Sequence, residues 1–406
     1  MFRSSMPSLR RLAVLVVAWT ALVAAPAHAL NASTLRAKLS RETAKLGRAS
    51  GAQVVDLDSG QVLFSRRASS ALVPASNEKL FTTATALLAL GSDSRRVTRV
   101  VADAVVDSDP DAVVTHDLYL VGAGDPSFAN ADLTGLADQL VRGAGLERVE
   151  GGVVGDEGLL DARRGSVDSA FKPDFNLGGQ LGALVVGHGV SGSDGPAQVV
   201  AARLQALLKA RGVRFGRQAR TGRAPADVGA PLAQDLSPTT AELIRATNRP
   251  SDNFYAELLL KVVGAEAGGA GTTAGGAAVV RRTLAGLGLR PTISDGSGLS
   301  RRNRTSARQV VTLLSAMRGG AAAPAWLGSL SVAGRNGTLR RRMRGTAAAG
   351  RCSGKTGTLR GVSALSGYCT TTTGRSVVFS FLENGVGYGA KSVEDRMVAA
   401  LARYAG

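Results

Sequence analysis

Two short segments near opposite ends of the chain limit its fold most. Ser76-Asn77-Glu78-Lys79 sets a hydroxyl and an amine one helical turn apart, so both face the same way. Lys355-Thr356-Gly357 stands at the start of an alternating, strand-like run. An unprotonated lysine amine beside a serine acts as the base that makes the hydroxyl a nucleophile. A chain that uses both segments must carry an early helix start onto a late strand. Between them lies Ser251-Asp252-Asn253, in a turn between two helical stretches.

Each segment alone has an ordinary explanation. Ser76 follows Pro74 at a helix start, where a serine caps free N–H groups. Ser251, Asp252 and Asn253 are all capping residue types, and Lys355 could open any strand. Three motifs in this order, on a helix, a turn and a strand, point jointly to serine acyl transfer. Competing chemistries lack their residues. Only His28, His116 and His188 are present, with no G-x-S-x-G elbow near the last two. There is no H-x-x-x-H or C-x-x-C, so neither a metal nor another cofactor is expected.

The first 29 residues read as a secretory signal. Arg3, Arg10 and Arg11 precede an apolar run over residues 12–25, and Ala27-His28-Ala29 is a small-residue cleavage site. Export to a periplasmic or other extracytoplasmic wall location is expected, with the mature chain starting near Leu30. The formal charge is +18, or +15 without those three arginines. Such a charge suits anionic wall polymers or a membrane surface. Arginine is spread throughout, however, and Arg340-Arg341-Arg342 with Arg344 reads as a solvated loop. Aromatic residues are only 4% of the chain, which argues against a nucleic-acid partner.

Residues 34–46 read as a helix, and residues 52–57 with 62–64 as a β-hairpin. After Pro74, Leu80, Ala84, Leu87 and Leu88 recur as one buried helical face, closed by Gly91. From 97 to 234 short Val-rich strands alternate with turns, among them 100–106, 113–121 and 151–156. This is expected to be an inserted, mostly-β module. It divides a catalytic unit of residues 30–96 and 235–406. Ser237 is expected to cap a new helix with Pro238 at its first position, and a second helix covers 253–263. Strands at 361–368 and 376–382 and a helix at 391–404 close the chain. Cys352 and Cys369, with 16 residues between them, flank the Lys355 strand and the next one. An exported chain permits a disulfide there; two buried thiols are the alternative.

Longer stretches around the motifs carry a resemblance. Val73 to Lys79, Thr247 to Phe254 with Glu257, Asp295-Gly296-Ser297-Gly298-Leu299-Ser300-Arg301 with Asn303, Gly354 to Leu359 and Leu365 to Tyr368 are its main parts. Gly124-Asp125-Pro126 and Val154-Gly155-Asp156 add turns within the insert. Together they resemble the D-alanyl-D-alanine carboxypeptidase/endopeptidase family of penicillin-binding protein 4 type, the class C low-molecular-mass penicillin-binding proteins. The resemblance implies an α+β, penicillin-binding/β-lactamase-like transpeptidase fold: an antiparallel sheet flanked by helices, an all-helical subdomain and the insert. It implies action on peptidoglycan stem peptides, with β-lactams as covalent inhibitors. In that scheme Ser76 attacks, Lys79 is the base, Ser251 passes the proton to the leaving group and Asn253 holds the peptide amide. Lys355, Thr356 and Thr358 bind the terminal carboxylate, Gly357 leaves room for substrate, and the N–H groups of Ser76 and Thr358 form the oxyanion hole. The alternatives are a serine β-lactamase and a non-catalytic wall-binding protein. Residues 80–250 are more than a bare two-subdomain enzyme needs, and this excess together with the Asp295 segment argues against a β-lactamase.

Overall fold

The computed structural model describes Met1 and residues 29–103, 105–108, 111–189 and 194–406. The expected signal therefore lies almost wholly outside the described residues. Helix α1 (Ala32–Ala44) leads to strands β1 (Ser50–Asp56) and β2 (Val62–Arg66), then helix α2 (Glu78–Leu90). Next come β3 (Val97–Ala102), β4 (Val105–Ser108), β5 (Asp111–Val114), β6 (Leu118–Val121), α3 (Asn130–Asp138), β7 (Leu146–Val149) and β8 (Val153–Asp156). Helix α4 (Pro196–Lys209) and short strands β9 (Arg214–Phe215), β10 (Arg220–Thr221) and β11 (Ala233–Leu236) follow. The remainder is α5 (Thr240–Asn248), α6 (Asn253–Gly268), α7 (Thr273–Gly286), α8 (Ala307–Gly319), α9 (Ala323–Ser329), β12 (Ser331–Val332), β13 (Cys352–Leu359), β14 (Val362–Thr370), β15 (Ser376–Asn384) and α10 (Ala390–Leu401).

The main sheet is antiparallel throughout, in the order β12-β13-β14-β15-β1-β2. Successive side chains of a strand point to opposite faces, and here both faces are covered. Val377, Phe379 and Phe381 meet Leu35 and Leu39 of α1 and Met397 and Leu401 of α10. Val378 and Leu382 pack with Val310, Val311 and Leu314 of α8. Each large apolar side chain fully buried in these layers contributes roughly 1.5–3 kcal/mol. The same α8 core takes in α2, α6 and α7, which form the helical part of the molecule. Helices α6 and α7 approach closely because a side chain is missing: a Cβ on Gly264 would lie 2.5 Å from the Gly276 nitrogen.

The intervening strands form two separate sheets, β10-β8-β6-β3-β11 and β4-β5-β7-β9, around their own apolar cluster. Helices α3 and α4 pack into that cluster through Leu133, Leu136, Val200 and Leu204, and were not anticipated. From this part, Asp161 reaches Lys261 of α6 at 2.6 Å and Asp168 accepts from Ser300 Oγ at 2.8 Å. No described helix is long and apolar enough to cross a membrane.

Several local expectations are corrected. Leu88 is 48% exposed, so the buried face of α2 is Leu80, Phe81, Ala84 and Leu87. Residues 113–121 are two strands in different sheets, because the Asp117 carboxylate accepts from Gly152 N–H (2.9 Å), pairs with Arg220 (2.7 Å) and fixes a bend. Residues 100–106 break likewise between β3 and β4. Thr239, not Ser237, caps α5, in a reciprocal pair with Glu242. The Ser237 hydroxyl instead accepts from Arg96 N–H at 2.8 Å. Lys355-Thr356-Gly357 lies within β13 rather than at its start. Within the arginine run, Arg342 is not solvated: it pairs with Glu394 and Asp395 at 2.7 Å each.

Candidate active site

The turn that carries Ser76 is pinned from below. Asn384 at the end of β15 accepts from Val73 N–H (2.9 Å) and donates to the Val73 carbonyl (3.0 Å). Ala75 then adopts φ = 48°, a left-handed conformation that a non-glycine residue holds only when its surroundings impose it. A short 3₁₀ turn, Ala75–Asn77, presents Ser76 half-buried, and α2 begins at Glu78. One turn on, Lys79 is fully buried. Its Nζ lies 3.1 Å from Ser76 Oγ, and it donates to Asn253 Oδ1 (2.7 Å) and to the Ser297 carbonyl (2.6 Å).

Asn253 opens α6, whose first turn is capped by the Asp252 carboxylate on Tyr255 N–H at 2.9 Å. Just before it Ser251 is also left-handed, at φ = 66°. That turn aims Ser251 Oγ at Lys355 Nζ, 2.8 Å away. Lys355 is fully buried too, and Thr356 Oγ1 donates to Thr338 Oγ1 at 2.8 Å. Gly357 runs directly under the Ser76 turn: a Cβ there would lie 2.8 Å from the Pro74 carbonyl oxygen and 3.1 Å from Ser76 N. Thr358 follows, exposed. On its outer side β13 pairs with β12 only through Ser353 and Gly354. Residues 355–359 thus offer an open strand edge beside the serine, the kind of edge an extended peptide can join. On its other side β13 is tied to β14 by the Cys352–Cys369 disulfide, between directly opposed residues.

Burial is the main influence on both amines. It holds Lys79 down to about 8, against the pull of Asp295, Glu257, Asp252 and Glu78. It pushes Lys355 well below its ordinary value, and the charge of Lys79 adds to this. Three buried acids surround Lys79, and sequence reasoning gave them no role. Glu257 Oε1 accepts from Gly296 N–H (3.0 Å) and Ser297 N–H (2.8 Å), and so fixes the carbonyl that holds Lys79. Burial and Asp295 raise Glu257 to about 7. Asp295 accepts from the N–H groups of Gly298 and Ser300 and from Asn303; burial raises it. Glu78 is raised well above the carboxylate range by burial and by the other two acids. The signal for Glu257 was its place four residues after Asn253, on the same face of α6.

Sequence reasoning also missed Asn176, whose backbone carbonyl accepts from Asn253 Nδ2 at 2.8 Å and so touches the site from outside its own elements. His188 lies against Asp252 (3.1 Å) and the rings of Phe254 and Tyr255, not against a serine.

Comparison with known proteins identifies the family. The model of the D-Ala-D-Ala carboxypeptidase 3 (S13) family matches residues 34–176 and 175–404. The chain belongs to that family. Its serine peptidases include the D-alanyl-D-alanine carboxypeptidase of Actinomadura sp., 33% identical over 89% of this chain and 82% of the relative. Carboxypeptidase DacB of Mycolicibacterium smegmatis is 29% identical, over 86% of this chain and 79% of its own length. Among solved structures, penicillin-binding protein 4 from Haemophilus influenzae has the same fold, with a TM-score of 0.75 at 20% identity, covering 89% of this chain and 98% of that one.

Proposed function

We propose that this family member is an exported D-alanyl-D-alanine peptidase that works through an acyl-enzyme on Ser76. The observation that carries the reading is the buried Lys79 amine, 3.1 Å from Ser76 Oγ and held down to about 8. An amine tuned near the working pH is an effective general base. Lys79 takes the Ser76 proton as Oγ bonds to the carbonyl carbon between the two D-alanines. The oxyanion forms against the N–H groups of Ser76 and Thr358. The C–N bond then breaks, and the proton that Lys79 took passes through Ser251, which Lys355 holds at 2.8 Å, to the leaving D-alanine. Water hydrolyses the ester and restores Ser76.

Lys355, Thr356 and Thr358 are assigned to the substrate carboxylate, and the open edge of β13 to the peptide backbone. Asn253 is engaged at both ends, by Lys79 and Asn176, so it first of all positions the base. A substrate amide would take the place of the Asn176 carbonyl. We assign residues 30–96 and 235–406 to the catalytic unit and 97–234 to the insert. The signal-like residues 1–29 support export to the wall, where peptidoglycan is the substrate and β-lactams acylate the same serine. The test is release of free D-alanine from a stem peptide ending in D-alanyl-D-alanine. No release, with slow loss of a stable penicillin adduct, contradicts hydrolysis; rapid penicillin turnover supports a β-lactamase instead.

A further inference from the structure

The turn Ser251-Asp252-Asn253 is held at two points by a distant stretch of the chain. One is the Asn176 carbonyl on Asn253 Nδ2, described above. The other is His188, whose Nε2 lies 3.1 Å from Asp252 Oδ2. A carboxylate only accepts hydrogen bonds, so the imidazole N–H is the donor. The other oxygen of that carboxylate, Oδ1, takes the Tyr255 N–H in the first turn of α6. The Asp252 N–H donates to the Thr247 carbonyl at 2.9 Å. His188 is thus bonded to the residue that sits between Ser251, which meets Lys355, and Asn253, which meets Lys79.

The segment that brings both contacts is anchored on α6. Its Leu177, Leu181, Ala183 and Val185 pack with Phe254 and Leu258. It also closes on itself: Gln180 N–H donates to the Gly189 carbonyl at 3.2 Å, and a Cβ on Gly179 would overlap the His188 carbonyl oxygen. His188 stands at φ = 60°, a left-handed conformation that a non-glycine residue keeps only where its surroundings impose it. Its ring centre lies 5.2 Å from that of Phe254 and 5.4 Å from that of Tyr255. The side chain is 44% exposed, so it fills no core position; what its placement serves is the bond to Asp252. We propose that His188 is a positioning residue for acyl transfer: through Asp252 it fixes where Ser251 Oγ and the Asn253 amide stand while substrate is bound. The inference rests on the reading of Ser76 and Ser251 given above. In that reading a substrate amide takes the place of the Asn176 carbonyl, so one of the two outside contacts is given up on binding. The His188 bond then remains as the outside tie on the turn. It acts on the turn and not on the reacting atoms, and small displacements of such groups are costly.

Stopped-flow acylation by penicillin separates initial binding from the acylation step and gives the test. In His188→Ala the acylation rate constant should fall about tenfold. Initial binding should stay within about twofold, and circular dichroism should remain that of the folded protein. His188→Gln, which can still donate to Asp252, should recover most of the rate. Asp252→Ser keeps a capping oxygen for α6 but is too short to meet His188. In that background His188→Ala should cost less than about twofold more, because both changes remove one contact. An unchanged rate in His188→Ala, a loss that His188→Gln leaves unrecovered, or an equal loss in the Asp252→Ser background overturns the proposal. If the parent protein is not acylated at all, the reading of Ser76 fails, and the hold on the turn is read from amide hydrogen exchange instead. The Asp252 and Tyr255 amides should then exchange at least about tenfold faster in His188→Ala; unchanged exchange overturns the role of His188.

Discussion

At the scale of single residues, the roles divide between two buried amines. Lys79→Ala should slow acylation by every substrate and by penicillin, by at least about a hundredfold. Lys355→Ala should cost about tenfold to a hundredfold on substrates with a free C-terminal carboxylate, the range expected for a hydrogen bond to a charged group. Its effect on the corresponding amide should be much smaller, and equal losses on acid and amide would contradict the assignment. Because acylation needs neutral Lys79, its rate should rise with pH through about 8. Glu257 pulls that amine upward, so Glu257→Gln should move the rising limb to lower pH; an upward shift in stopped-flow acylation would refute this. The residues that the structure gathers at Ser76 were legible because each combines a reactive group with a spacing that fixes its element. Glu78, Glu257 and Asp295 were not, because what matters about them is mutual proximity and burial, and tertiary packing alone creates both.

At the scale of elements, the strand edge under the nucleophile depends on what is absent. Gly357→Ala would drive a methyl group toward the Pro74 carbonyl and Ser76 N. Acylation should fall by more than about tenfold while circular dichroism stays that of the folded protein, since small displacements of reacting groups are costly. Unchanged acylation would show that the turn and the strand are not in register as described. Reduction of the Cys352–Cys369 bond should lower the melting temperature, by at most about 3 kcal/mol of stability. Acylation should weaken with it, because the bond ties β14 to the strand that substrate joins. The strands β14 and β15 and helix α2 were readable from period and caps. Helix α7 was not: its glycines weaken helix propensity, and one of them, Gly276, sits where α6 comes close, a Cβ there lying 2.1 Å from the Leu260 carbonyl oxygen. Helix α8 did carry a readable signal, with Ser306 as cap and Val310, Leu314 and Met317 at helical spacing. Among residues 97–234, strand breaks such as that at Asp117 come from long-range partners that no local pattern shows.

For the molecule as a whole, the sheet is closed against α10 by a polar cluster that the composition hid. Arg342 spans Glu394 and Asp395, and beside them Glu383 is raised well above the carboxylate range by burial and by Glu394. A raised carboxyl keeps its proton when folded and loses it more readily when unfolded. Its contribution is thus fully present below the unfolded value and is lost as pH rises through the folded one. Glu383→Gln should accordingly gain in melting temperature relative to the parent as pH increases from about 4.5 upward; a gap that narrows instead would contradict the burial described. Overall architecture was legible from motif order and from the long interval between Lys79 and Ser251. Helices α3 and α4 and the reach of the Asn176 carbonyl to Asn253 were not, since they depend on long-range packing. The central claim remains that one serine, activated by one buried lysine, carries the acyl group. Its most direct test is peptide mapping by mass spectrometry after brief treatment of the intact protein with penicillin. A single adduct on the Ser76 peptide, absent in Ser76→Ala and strongly delayed in Lys79→Ala, is predicted. An adduct on any other residue, or undiminished labelling of Ser76→Ala, would contradict the account.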